Sequence, residues 1–268
     1  MSLADDIALA HVLADAAGAA IRPYFRGDIG LEHKDDASPV TRADRAAEAA
    51  MRRILAAERP RDGIIGEEYG VEREGAARTW VLDPIDGTTS FVAGRAIFGT
   101  LIALCQDGFP ILGIIDQPVQ RERWVGAVGQ PTLFNGKAAQ SRTCRVLSDA
   151  ILATSGPQYF SDHEGEHFIA LAAKTARRSM IFGGDCYNYG LVASGHVDIV
   201  VEAGLKLYDF AALVPVVEGA GGMMCDWNGM PLNADSVGDP VSGHGASVIA
   251  LGDPARLDDV LEALACSH

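Results

Sequence analysis

Apolar positions in the first sixty residues return at helical intervals. Between residues 3 and 26 an Ala-rich run sets Ile7, Val12, Leu13, Ala16 and Ile21 near one face, and Gly27 ends it. Residues 38–59, SPVTRADRAAEAAMRRILAAER, repeat the pattern with good helix formers and stop at Pro60. The rhythm then changes. GIIGEE (63–68) reads as a short buried strand that ends in two acids, and TWVLD (79–83) reads as another strand. Between 97 and 128 come three β-runs, IFGTLIALC, FPILGIIDQPV and RERWVGAVG, with QDG (106–108) and NGK (135–137) as turn signals. This half predicts two helices against a largely antiparallel sheet.

From about residue 148 strands and helices alternate. DAILATSG, RSMIFGG and VDIVVEAG read as strands; HFIALAAKTA, CYNYGLVASG and YDFAALVPVVEGAGG read as single helices. MMCDWNG, ASVIALG and PARLDDVLEALA complete the series. Such alternation predicts an α/β layer. The break falls within 137–147, which divides the chain into an N-terminal α+β subdomain (1–142) and a C-terminal α/β subdomain (143–268).

A chain of 268 residues with 48% hydrophobic residues can bury a large core without metal or disulfide staples. Its net charge of −14 and the lack of a basic stripe argue against a nucleic-acid partner. The five cysteines are odd in number, scattered and free of CxxC spacing, which predicts a reducing compartment. The N-terminal MSLADDIALAHV has acids where a signal peptide carries positive charge, and no apolar run is long enough to span a membrane. A cytoplasmic protein is expected.

Some of the acids stand at the ends of elements. In VLDPIDGTT (81–89), Asp83 and Asp86 flank a proline turn, so both carboxylates and the Ile85 carbonyl can converge on one hard cation such as magnesium. Glu67 and Glu68 follow GIIG, Asp209 lies in KLYDFAA, and Asp44 opens the second helix. Free N–H groups of Gly87 and Thr88 would suit a phosphate. Each acid alone also has a structural reading, because Asp-Pro and Asp-Gly make turns and Asp caps helices.

Taken together, WVLDPIDGTTSF, the upstream GEE and the downstream YDFAALVPVVEGAGG resemble the inositol monophosphatase family of magnesium-dependent, lithium-sensitive phosphatases. The resemblance implies an α/β (α+β) fold, an alternating α-β-α-β-α sandwich, and commonly a homodimer. It implies that Glu67, Asp83 and the Ile85 carbonyl hold one Mg2+, that Asp83, Asp86 and Asp209 hold a second, and that a looser third leans on Glu67. Manganese would satisfy the same oxygens. Thr88 and Asp44 would orient and deprotonate the attacking water. No Cys or Ser nucleophile is needed.

The substrate is read elsewhere. FGGDCYNYG (182–190) carries Asp185 where many inositol-phosphate members have small neutral groups, and Glu202 matches the family's substrate-contacting acid. Two carboxylates facing the organic part of a phosphate monoester suggest a cation there, and L-histidinol phosphate supplies one. The stretch resembles the histidinol-phosphatase branch. Helix capping is the alternative role for Asp185. An inositol or broad sugar phosphatase, a nucleotide 3′-phosphatase and a non-catalytic metal-binding protein are the competing functions. The same resemblance implies that Lys34 approaches the site from a loop. HEGEH (163–167) lacks a zinc order and reads as a solvated face.

Overall fold

The computed structural model describes residues 2–28, 30, 32–33, 39–237 and 245–265; Lys34 lies outside them. Helix α1 (Leu3–Ile21) opens with a capping box in which the Ser2 side chain accepts the Asp5 N–H and the Asp5 carboxylate accepts the Ser2 N–H. A short ribbon follows, β1 (Glu32–His33) against β2 (Pro39–Val40). Helix α2 (Arg42–Glu58) therefore begins four residues later than its spacing suggested. Thr41 takes an extended conformation and caps it, with Asp44 as the reciprocal acid.

Then come β3 (Gly63–Gly66), β4 (Gly70–Glu72), β5 (Arg78–Asp86), the short α3 (Thr88–Val92), β6 (Gly99–Gln106), β7 (Phe109–Gln117), β8 (Glu122–Ala127), β9 (Leu133–Phe134) and β10 (Lys137–Ala138). Among the described residues they form one sheet in the order β10-β9-β8-β7-β6-β5-β3-β4, antiparallel except for β3 beside β5. The second half supplies β11 (Leu152–Thr154), α4 (Asp162–Lys174), β12 (Ile181–Phe182), α5 (Asp185–Ala193), β13 (Ile199–Leu205), α6 (Leu207–Phe210), α7 (Leu213–Gly219), β14 (Met223–Asp226), β15 (Ala246–Leu251) and α8 (Leu257–Ala265). Its sheet runs β12-β11-β13-β15-β14. The strands joined through α4 and α5 are parallel, because a parallel pair needs a crossover; β15 pairs antiparallel on both sides.

Side-chain alternation stacks these elements into five layers. On β5, Leu82 faces a core shared with α1 and α2, while its neighbour Val81 faces the opposite core, built with α5, α6 and α7. On β13, Val200 joins that same central core, while Ile199 and Val201 face outward to α4 and α8. The order is thus helix, sheet, helix, sheet, helix, as the resemblance implied. The central core draws on both halves of the chain.

One expected helix is two. The run 208–222 breaks after Phe210 into α6 and α7. A Cβ on Gly113 or Gly126 would strike the Ala212 or Pro215 carbonyl, so two glycines on β7 and β8 let the α7 backbone lie directly on the sheet.

Candidate active site

The spacing of Asp83 and Asp86 is resolved by a bulge. In a regular strand, residues three apart point to opposite faces. The sequence suggested that the strand ends at Asp83; instead β5 continues to Asp86. Asp83 pairs with Leu101 and Asp86 with Gly99, so three steps on β5 match two on β6. The extra residue turns Asp86 to the same side as Asp83. Pro84, which has no N–H, is tolerated at such a place, and its carbonyl accepts the Thr100 hydroxyl at 2.8 Å. Asp83 Oδ1 accepts the Ile85 N–H at 3.0 Å and closes the turn.

Asp209 arrives from the first turn of α6, held by the Lys206 N–H at 2.6 Å. Carboxylate oxygens of Asp83, Asp86 and Asp209 then lie within 4.8 Å of one another. Glu67 is not in that tightest trio, but it acts electrostatically on both Asp83 and Asp209 and lines the same cleft. Burial pushes Asp83 well above the usual carboxylate range, and Glu67, Asp86 and Asp209 add to it. Burial does the same to Asp86, with Asp185 and Asp209 adding. Asp209 is pushed up to about 7, chiefly by burial, and Lys206 offsets only part of this. One buried and two half-buried carboxylates gathered against their own repulsion fit a hard divalent cation.

Of the two residues expected to handle water, Thr88 lines the cleft, while Asp44 is not among its lining residues and is tied to it only through the electrostatic influence of Glu68 and Glu67. The Thr88 hydroxyl donates to the Ile85 carbonyl at 3.1 Å, so two residues expected at the site are in direct contact. Asp44 Oδ2 accepts the Thr41 N–H and hydroxyl, at 2.9 and 2.5 Å. Its Oδ1 is buried with no protein partner. Burial raises Asp44 to about 7, and Glu68 and Glu67 contribute.

Across the cleft, Asp185 does not cap its helix. Gly184 is the N-cap and makes no side-chain cap bond. Asp185 sits at φ +43° with its carboxylate accepting the Ser90 hydroxyl at 3.2 Å. The helix end is served instead by Asp86, which accepts the Cys186 N–H at 2.6 Å. Gly87 makes this approach possible, since a Cβ there would lie 2.5 Å from Asp185 Oδ2. Glu202 is buried; one oxygen accepts the Ser155 N–H and hydroxyl and the other the Tyr189 hydroxyl. Burial lifts it to about 7. Ser155 also lowers Asp185, and Asp185 in turn raises Glu202, so the two acids act on one another across the cleft. The cleft, of about 290 Å³, is further lined by Tyr159, Phe160 and Tyr208.

Ser90, Ser155 and Tyr189 escaped sequence reasoning. Ser155 carried a usable signal, because it follows the C-terminal end of a strand in an α/β layer, where ligands bind. Ser90 and Tyr189 had none. Cys186 is a buried thiol pushed well up by burial and by Asp86, unsuited to nucleophilic work. His163 and His167 lie a turn apart on α4, with His167 against the Leu264 carbonyl.

The fold has close counterparts. A solved inositol monophosphatase from Zymomonas mobilis superposes with a TM-score of 0.88 at 53% identity, covering 98% of this chain and 99% of that one. A bifunctional phosphatase of Arabidopsis thaliana (IMPL2, chloroplastic) is 46% identical over 259 residues, 96% of this chain and 74% of its own length. A histidinol-phosphatase of Mycobacterium tuberculosis is 38% identical over 254 residues, 92% of this chain and 93% of its own. The fold and these relatives define the class, a phosphoric monoester hydrolase. The model of the inositol monophosphatase family matches residues 3–257, and the chain belongs to that family.

Proposed function

We propose that the enzyme is a magnesium-dependent histidinol-phosphate phosphatase, converting L-histidinol phosphate and water to L-histidinol and phosphate. The observation that carries the substrate reading is Asp185, freed from capping and lining the same cleft as Glu202, whose carboxyl it raises. A cationic organic group would relieve the repulsion between these two acids; a neutral polyol would not. Arg95 offsets Asp185 only in part, as the smallest of the influences on it. The likeness to a histidinol-phosphatase supports the same reading.

Asp83, Asp86 and Asp209, with Glu67 and the Ile85 carbonyl, would hold two or three Mg2+ ions, or Mn2+ on the same oxygens. When bound, these ions supply Lewis-acid polarisation of the phosphoryl group and relief of charge on the leaving oxygen. The chain's own residues do the rest. Gly87 and Thr88 present N–H groups to the phosphate. Thr88 Oγ1 orients the attacking water. Asp44, at about 7 with a bare Oδ1, accepts a proton from it near neutral pH. Glu67 shapes the side of the cleft where that water stands. We expect a cytoplasmic homodimer with no membrane or nucleic-acid partner; among the described residues no helix is long and apolar enough to cross a membrane.

A second reading, inositol-1-monophosphatase or a broad sugar phosphatase, draws on the Zymomonas mobilis likeness. Steady-state assays with histidinol phosphate and inositol 1-phosphate, both with Mg2+, separate the two. A higher kcat/KM for inositol phosphate overturns the histidinol assignment.

A further inference from the structure

We propose that Glu48 and Arg52, on α2, are positioning residues that hold the Glu67 turn in its metal-binding conformation. The inference rests on the reading of Glu67 as a ligand and goes beyond it to what sets that ligand in place. Residues 67–69 form the tight turn between β3 and β4. Glu67 donates its own N–H to the Leu82 carbonyl of β5 at 3.1 Å. The next two N–H groups go to one carboxylate: Glu68 N–H to Glu48 Oε2 at 2.8 Å, and Tyr69 N–H to Glu48 Oε1 at 3.2 Å. Glu67 is thus fixed between the metal strand and α2.

Glu48 is 0% exposed, and Arg52 Nε donates to its Oε1 at 2.7 Å. The other guanidinium nitrogens reach past the turn, to the Gly70 carbonyl at 2.5 Å and to Glu72 at 2.8 Å. The guanidinium also stands 5.9 Å from the Tyr69 ring centroid. A Cβ on Gly66 would collide with Glu48 Oε1 and come within 2.7 Å of Arg52 Nη2, so the strand before the turn is pared down to admit this pair. Burying an ion pair is a poor way to gain stability alone, since well-packed apolar residues often do as well. Its directional bonds fix a geometry that apolar packing would leave loose. Asp44, Glu48 and Arg52 are spaced by four on one helical face, so α2 sets the proton acceptor and the ligand turn in one frame.

Calorimetric titration of the full-length enzyme with Mg2+, without substrate, tests this. Groups that orient a ligand affect metal affinity by about 10- to 100-fold. Glu48→Gln should weaken Mg2+ binding by about tenfold, because its amide cannot accept both turn N–H groups and the arginine. The Mg2+ concentration for half-maximal activity should rise in step, with kcat recovered at saturating Mg2+. Glu72→Gln frees only the outer arm of Arg52 and should stay within about twofold. Arg52→Lys should lie between them, and it decides the question if Glu48→Gln fails to fold. Wild-type affinity in folded Glu48→Gln, beside a weakened Glu67→Gln, overturns the positioning role alone. Wild-type affinity in Glu67→Gln overturns the reading of Glu67 itself.

Discussion

Asp6 and Asp83 are buried alike, 1% and 2% exposed, yet they keep opposite company. Asp6, on α1, meets Arg59 at 3.1 Å and Arg78 at 2.8 Å and ties two helices to β5. Asp198 is gripped in the same way by Arg142, with the Ile151 N–H as a further donor. Around Asp83 the charged neighbours are Glu67, Asp86 and Asp209, all of its own sign. Charge can be buried when a guanidinium and N–H groups answer it, and the acid is then part of the scaffold. Where acids answer acids, folding has left charge for a cation from solution to neutralise.

The largest expected effect breaks that cluster. Asp83→Asn should lower kcat by on the order of 10³, the scale of losing one preorganised electrostatic group. Thermal stability without divalent ions should hold or rise, because a repelling charge is gone; a variant that keeps its turnover would remove Asp83 from the chemistry. Asp6→Asn should do the reverse. It should cost about 3 kcal/mol of unfolding free energy by urea titration, since it leaves buried arginines under-compensated, and leave kcat of the folded enzyme unchanged.

A pH series sharpens the contrast. Asp44, Asp209 and Glu202 stand near 7 in the fold, against 3.8, 3.8 and 4.5 ordinarily. Each binds its proton more tightly when folded. Their contribution is therefore complete below about pH 4 and is lost as pH climbs toward about 7. In chelator, Tm should fall over that interval; the fall should be shallower both in Asp209→Asn and in saturating Mg2+, which neutralises Asp209 but leaves Asp44 and Glu202. Equal slopes in all three samples would show that these acids do not govern it.

The smallest expected effect is on choice of substrate. Asp185→Asn should narrow the kcat/KM preference for histidinol phosphate over inositol phosphate by about tenfold, or about 1.4 kcal/mol. An unchanged ratio would place specificity elsewhere in the cleft.

Much of this was legible in the chain. Periods of 3.6 and 2 are local, so most of α1, most of α2 and the β-runs of 97–128 stand where their spacing put them, although α1 ends at Ile21 rather than at Gly27 and leaves Val12 exposed. The acids were legible because three motifs in order are hard to produce by chance. The start of α2 was misread because good helix formers masked the Thr41 cap. The single helix over 208–222 is interrupted at Ala211 and Ala212, both still at helical angles, where the backbone comes against the glycines of the distant β7 and β8. Ser90 and Tyr189 had no local mark of function; they matter only for the carboxylates that distant segments bring to them.

By itself the sequence determined the layered fold, the family and the set of acids, because periodicity and short ordered motifs survive in one dimension. Tertiary structure decided how the acids meet. The bulge that turns Asp86 beside Asp83 is a mismatch between two strands. The release of Asp185 from capping depends on Asp86, a hundred positions away, taking the Cys186 N–H in its place. Both are relations across the fold, set by hydrogen bonds between segments that the linear chain keeps apart.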